Sequence, residues 1–170
     1  LTGAREVVIA EELKPERSVN INLNYLKKIY RDNGTFIGID ASAFYTHFSN
    51  IILPDYDTDP NLIIYDNLDG KSVSQGISAN VDIAFANGLK FLVGATWQDV
   101  SNTENGIRQP QILTESITAT WNLSYTFRTL HLAIDYTGNL YGPMRLSLLG
   151  DLDPRREYSP TWSIQNIQFT

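Results

Sequence analysis

Residues 72–85, Ser-Val-Ser-Gln-Gly-Ile-Ser-Ala-Asn-Val-Asp-Ile-Ala-Phe, decide the fold of this chain. Apolar side chains recur there at almost every second position, which is the spacing that defines one face of a pleated strand. The residues between them are small and polar, chiefly Ser and Asn. Because a helix would repeat its apolar residues every three to four positions, this stretch predicts a β-strand with one apolar and one polar face.

Six further stretches show a similar alternation, so the sequence predicts about seven strands and no helix. The predicted strands are residues 18–30, 37–45, 72–85, 89–97, 116–127, 130–136 and 162–169. The last of them is expected to contain a bulge near Gln165 and Asn166, where the alternation fails.

The connections between these strands alternate between short and long. Asn33-Gly34 and Asn87-Gly88 supply the positive φ that tight hairpin turns require, and a third short turn is expected near residues 127–129. The other connections are long and rich in Pro, Gly, Asp or Asn: residues 49–71, 98–113 and 138–160. Short turns at one end and long loops at the other are typical of outer-membrane β-barrels.

The composition indicates which solvent contacts each face of the predicted strands. There are 12 Ser, 14 Thr and 14 Asn against 13 basic and 19 acidic residues. A strand face in bulk water usually carries Lys, Glu and Arg, whereas small uncharged groups suit a barrel interior. The apolar rows are aliphatic in mid-strand and aromatic near the ends, as in a lipid-facing band. The predicted fold class is an all-β antiparallel meander of transmembrane-type strands, and a soluble β-sandwich is the alternative.

Simple counts exclude several classes of protein. A net charge of −6 argues against nucleic-acid binding, and the absence of Cys excludes disulfides, a thiolate nucleophile and a Cys-ligated metal. No catalytic arrangement or cofactor motif is present, so we expect no enzyme. Because a membrane barrel must close and the smallest has about eight strands, we expect a fragment of a larger barrel.

Several motifs resemble those of a known family. Residues 13–18, Leu-Lys-Pro-Glu-Arg-Ser, with the alternating Asn residues that follow, resemble the opening of a later barrel strand in TonB-dependent outer-membrane receptors. Residues 65–70 leading into 74–77 look like the re-entry into the next strand. Residues 135–138, 158–160 and 166–168 are similar to still later strands of Bacteroidetes-type receptors, so the resemblance extends over residues 13–170.

The resemblance implies that residues 1–170 are a C-terminal portion of a 22-stranded barrel in the outer membrane of a Gram-negative bacterium. The resemblance also implies that the plug domain and the terminal strand of such a receptor lie outside residues 1–170. The implied partners are outer-membrane lipid, the plug and remaining strands, the TonB complex and a small-molecule ligand, with no nucleic acid. The ligand is expected to be a metal chelate such as a siderophore, haem or cobalamin. A passive porin-like channel and a soluble β-sandwich that binds glycans are the alternatives.

Candidate ligand-binding residues lie in the long connections. They are Asp55, Tyr56, Asp57, Asp59, Arg155 and Arg156. The first loop also approximates the spacing of a calcium loop through Asp55, Asp57, Asp59 and Asp66. Because Pro60 replaces the Gly that such a loop requires, a solvated acidic loop is the favoured interpretation. The adjacent arginines are most simply a charged loop, and an anionic chelate is their alternative ligand.

Structural roles explain the isolated His and Trp residues best. His47 and His131 have no second His nearby, so no metal site is expected, and His131 is predicted to face the barrel interior. The three Trp residues, Trp97, Trp121 and Trp162, have faces suited to stacking on sugars. Because Trp97 and Trp121 fall in the apolar rows, anchoring at the membrane interface is their expected role.

Overall fold

A computed structural model describes residues 5–56, 58–59, 61–148 and 153–170. Regular secondary structure in these ranges consists of β-strands. The strands are β1 (Glu6–Ile9), β2 (Arg17–Tyr30), β3 (Phe36–Ser49), β4 (Ile52–Asp55), β5 (Leu62–Asn67), β6 (Gly70–Ala84), β7 (Leu89–Glu104), β8 (Ile107–Pro110), β9 (Ile117–Phe127), β10 (Leu132–Tyr141) and β11 (Trp162–Phe169). Across the described ranges we find no helix with the length and apolar character needed to cross a membrane.

Seven long strands form one antiparallel meander, which confirms the predicted fold class. Their order is β11-β10-β9-β7-β6-β3-β2, and β8 folds back onto the end of β7. The strand predicted to end at Trp97 continues to Glu104, because the β7–β8 hairpin extends it. The predicted bulge is wrong: β10 and β11 pair without interruption from Tyr141↔Trp162 to Ile134↔Phe169.

A second, small sheet was not predicted; it combines β1, which precedes β2, with β4 and β5 from the connection between β3 and β6. Its order is β1-β5-β4, with β1 parallel to β5 and β4 antiparallel to it. The Asn67 side chain ties this sheet to neighbouring backbone. It accepts a hydrogen bond from Lys14 N at 2.6 Å and donates to Lys14 O at 3.0 Å and to Asn50 O at 2.7 Å.

The predicted tight turns are present at the opposite end of the main sheet. Gly34 has a φ of 77° and Gly88 a φ of 93°, values that favour glycine. In the third turn His131 has a φ of 50° and is exposed. The prediction that His131 lies in the polar row of β10 is therefore wrong, because the strand begins at Leu132.

The pairing register separates an apolar face from a polar face. Residues directly opposite one another in a sheet point to the same side. One transverse row on the apolar face contains Tyr25, Ala41, Ala79, Ala95, Ala119 and Leu140. The neighbouring row on the polar face contains Asn24, Ser42, Ser78, Thr96, Thr118 and Tyr141. The two-faced strands expected from the sequence thus align across six of the seven long strands, whereas β11 places Trp162 and Ile164 on the polar face.

The apolar face has no protein cover. Within the described ranges no hydrophobic side chain is buried, and Leu23 is 73% and Ile21 65% exposed. A β-sandwich buries such a face against a second sheet, whereas the small β1-β5-β4 sheet leaves this face exposed. An uncovered apolar sheet face matches a wall that is covered by lipid.

The boundary of the apolar band runs diagonally across the strands. The last apolar residue of the band is Val19 on β2 and Leu140 on β10. In the pairing register, however, Leu140 is aligned with Tyr25, which lies six residues beyond Val19 on β2. Six residues span about 20 Å, and five strand spacings of about 4.8 Å separate β2 from β10. A flat membrane boundary therefore requires strands tilted by about 40° from the membrane normal. Membrane barrels have tilts of about 35–45°.

Candidate functional site

A cavity lies at the end of the sheet that carries the long connections. Its volume is about 580 Å³, and it opens between the β4–β5 pair on one side and the β7–β8 hairpin on the other. Ligand sites in proteins commonly have volumes of about 300–1,000 Å³. We call this space the loop cavity, and it is the candidate functional site.

Acidic groups predominate among the charged residues of the cavity wall. Asp55 and Asp66 come from the β4–β5 pair, and Glu104 comes from the end of β7. Arg145 is the cationic residue of the wall, and it reaches the cavity from the connection between β10 and β11. The wall therefore has an excess of negative charge.

Arg145 is held by polar partners rather than pointing freely into the cavity. Its side chain is 17% exposed, its Nε lies 3.5 Å from Glu157 Oε1, and its Nη1 donates to Gln109 Oε1 at 3.0 Å. The β-bridges Ile112↔Arg145 and Arg145↔Tyr158 fix its backbone between two loop segments. This residue thus joins the connection after β10 to the β7–β8 hairpin.

The carboxylates of the β4–β5 pair differ in their surroundings. Asp55 is part of a turn, because its Oδ1 accepts a hydrogen bond from Thr58 N at 3.1 Å and its Oδ2 accepts one from Thr58 Oγ1. Asp66 is exposed and accepts from the neighbouring Asn67 N at 2.7 Å. Asp55 shapes the loop, while Asp66 keeps more of its acceptor capacity for other groups.

Two buried oxygen atoms near the cavity lack hydrogen-bond partners among the described residues. They are the Asn102 Oδ1 and the Ser72 Oγ, and these two residues are opposite one another in the β6–β7 register. Asn102 lines the cavity, and its Nδ2 donates to Gln111 Oε1 at 2.9 Å. A buried polar atom without a partner is costly, so an internal water molecule that donates to Asn102 Oδ1 would be favoured.

Three of the residues singled out in the first acidic loop share the cavity wall: Asp55, Tyr56 and Asp66. The Tyr56 ring is 5.7 Å from the Arg5 guanidinium carbon, and Arg5 Nη1 donates to Tyr56 O at 3.4 Å. Asp59 is not in the wall, and its Oδ1 accepts from Asn61 N at 2.7 Å.

The calcium hypothesis stays a prediction. Asp57 and Pro60 lie outside the described residues. Elsewhere in the chain, within the ranges that the structure describes, no three His, Asp or Glu side chains are grouped in a way that could hold a metal ion.

The arginines proposed for an anionic ligand are not in the wall of this cavity. Arg155 Nη2 lies 2.6 Å from Asp153 Oδ2, and Arg155 Nε donates to Asp153 Oδ1 at 3.0 Å. Hydrogen bonding to Asp153, together with the charge of that carboxylate, raises the pKa of Arg155 above its ordinary value, although desolvation opposes this. Arg156 is exposed. The positive charge of Arg155 is therefore matched by Asp153.

Sequence reasoning missed Arg145, Glu104 and Asn102. Arg145 lies in a connection without periodicity, and Glu104 and Asn102 lie in residues 98–113, which the sequence predicts to be a loop. The Asn105-Gly106 pair was an available signal, because Asn-Gly favours the hairpin turn that extends β7 and creates β8.

The three Trp residues divide between the two faces. Trp97 and Trp121 lie on the apolar face, in register with Ile77 and Gly138 respectively. Trp162 lies on the polar face, where its ring stacks on Tyr141 with centroids 4.2 Å apart.

A family model for the TonB dependent receptor-like β-barrel matches residues 2–166 of this chain. No curated protein matches its sequence. The chain is structurally similar to the FrpB iron transporter from Neisseria meningitidis (F3-3 variant), with a TM-score of 0.64 and 17% identity over 97% of this chain and 24% of that one.

Two further solved structures show the same similarity in fold. The pyoverdine outer membrane receptor FpvA from Pseudomonas aeruginosa PAO1, bound to pyoverdine, gives a TM-score of 0.65 and 15% identity over 92% of this chain and 23% of that one. The siderophore receptor PirA from Acinetobacter baumannii gives a TM-score of 0.63 and 16% identity over 92% of this chain and 25% of that one. The chain therefore spans about a quarter of the length of these proteins. The Bacteroidetes-type assignment stays a prediction.

Proposed function

Because the chain belongs to the TonB-dependent receptor β-barrel family, we propose that it forms wall and outer loops of a receptor that takes up a metal chelate across the outer membrane of a Gram-negative bacterium. The observation that carries the proposal is the uncovered apolar face of the main sheet, aligned across six of the seven long strands and bounded at a tilt of about 40°. The membrane is the solvent that such a face requires.

The loop cavity supports a role in ligand capture. It lies among the long connections, which outer-membrane barrels expose on the outside of the cell. Its wall combines apolar side chains such as Leu53 and Ile107 with the polar groups described above, which is the composition of many small-molecule sites. We place the first contact with the ligand here.

The proposed ligand class is a metal chelate. Solved structures similar to this chain include an iron transporter, a pyoverdine receptor and a siderophore receptor, which favours a ferric siderophore over haem or cobalamin. The proposed partners are the plug domain and remaining strands of a longer protein, the TonB complex and outer-membrane lipid. The family is one of receptors, and we propose no enzymatic step for this chain.

In this mechanism the chain binds and guides the ligand, and movement is driven elsewhere in the protein. Small hydroxyl and amide groups line the polar face, as in the Ser42–Ser78 pair, whose hydroxyl oxygens are 2.7 Å apart. Such groups offer many weak hydrogen bonds and few charges, so a polar ligand can pass without being trapped. Energy from the TonB complex would act through the plug.

The test is ligand uptake by the complete receptor that contains this segment. We would express it in a Gram-negative strain that lacks its own siderophore receptors, with and without TonB, and measure growth and radiolabelled iron uptake on ferric siderophores. We expect uptake only when both TonB and the receptor are present. Uptake that continues without TonB would instead support the passive porin-like channel.

A further inference from the structure

We infer that the loop cavity selects metal chelates of zero or positive net charge that carry hydrogen-bond donors, and that it discriminates against strongly anionic chelates. This inference rests on the proposed function, because it names the ligand class of the same site. It differs from the alternative given for Arg155 and Arg156, which is that they bind an anionic chelate.

The first argument is the charge of the wall. Asp66 on β5 and Glu104 on β7 are exposed carboxylates of the cavity wall, and neither has an ion-pair partner among the described residues. A cleft lined by one sign of charge concentrates ligands of the opposite sign. An anionic chelate in this space would be repelled by both groups.

The second argument is the position of the cations. Arg145 belongs to the wall, but Glu157 and Gln109 hold its guanidinium, so its charge is already largely compensated. Arg155 is paired with Asp153 outside the wall. The described wall therefore lacks the uncompensated cation that an anionic chelate needs as a counter-charge.

The third argument is the type of hydrogen-bonding group that the cavity offers. The exposed carboxylates of Asp66 and Glu104 are acceptors only, and both belong to the wall. A ligand with ammonium, amide N–H or hydroxyl groups can satisfy these atoms. A catecholate or carboxylate chelate presents further acceptors and leaves them unsatisfied.

The experiment measures binding of four chelates to the complete receptor in detergent, by titration calorimetry. The probes are ferrioxamine B, which is cationic, cyanocobalamin, which is neutral and rich in amides, haemin, which is anionic, and a ferric tricatecholate, which is strongly anionic. We expect ferrioxamine B or cyanocobalamin to bind more tightly than either anionic probe.

Charge-removing variants test the assigned residues directly. The Asp66→Asn, Glu104→Gln double variant should weaken binding of the favoured probe about fivefold and strengthen binding of the tricatecholate. The control is Asp32→Asn, which also removes one carboxylate charge. It lies in the turn between β2 and β3, at the opposite end of the sheet, and should alter neither affinity.

The outcomes separate the two proposals. Tight binding confined to the anionic probes, or a double variant that shifts all affinities in one direction, overturns the charge inference and leaves the receptor function standing. If none of the four probes binds the folded receptor, the proposed chelate uptake fails, and the inference fails with it.

Discussion

The indole ring of Trp121 lies directly over Gly138, its partner in the β9–β10 register on the apolar face. An ideal Cβ built on Gly138 would be 2.1 Å from Trp121 Cζ2, so the ring occupies the space of a missing side chain. The Trp121 ring is also 6.3 Å from that of Tyr136. A large aromatic group can thus lie against the sheet because its neighbour is glycine.

Replacing Gly138 with Ala should displace the Trp121 ring and destabilise the barrel by about 1–3 kcal/mol. The measurement is urea unfolding of the complete receptor in detergent micelles, followed by Trp fluorescence. A double-mutant cycle with Trp121→Ala is the control, since the added methyl group then meets no ring and should cost little. Additive free energies in this cycle would contradict the proposed overlap.

A charged side chain should be costly on one face of β6 and tolerated on the other. Ala79→Lys places an ammonium group near the centre of the lipid-facing band. It should lower the free energy of unfolding of the barrel by about 2–4 kcal/mol. Asn80→Lys, at the next residue, points to the polar face and is the matched control. We would compare the folded fraction of both variants after insertion into lipid vesicles, and equal losses would argue against the assigned faces.

The 170-residue chain by itself should require detergent. Its apolar face is exposed, and β2 and β11 are open edges of the main sheet that can pair with other chains. Light scattering after gel filtration, with and without detergent, together with far-UV circular dichroism, should show β-rich material that associates in plain buffer. A detergent-indifferent monomer with a cooperative thermal transition would favour the β-sandwich glycan-binding alternative.

Asn67→Ala should loosen the β4–β5 pair, which forms part of the wall of the loop cavity. The substitution removes three hydrogen bonds to the backbone of Lys14 and Asn50, so we expect a local loss of about 2–3 kcal/mol. Hydrogen exchange at the amides of β4 and β5 should increase by one to two orders of magnitude, while that of β6 stays unchanged. Asn61→Ala is the control, because its side chain makes no hydrogen bond among the described residues. Equal exchange in both variants would contradict this role.

The main sheet was predictable because its signals are local. Strand β6 shows its two faces within 15 residues, and Gly34 and Gly88 mark turns whose geometry depends on four or five residues each. The errors occurred where local patterns are ambiguous. His131 continues the polar row in sequence but lies in a turn, and the irregular pattern at Gln165 and Asn166 belongs to a strand with unbroken pairing.

The sequence by itself determined the long strands of the main sheet, their two faces and the solvent that each face requires, since most of these strands show a period of two residues. Only the tertiary structure decided the loop cavity. Arg145 meets Gln109 across 36 residues of sequence, Asn102 lies opposite Ser72, and β1 pairs in parallel with β5. These contacts depend on long-range register and on the closure of loops without periodicity, so no local pattern in the sequence specifies them.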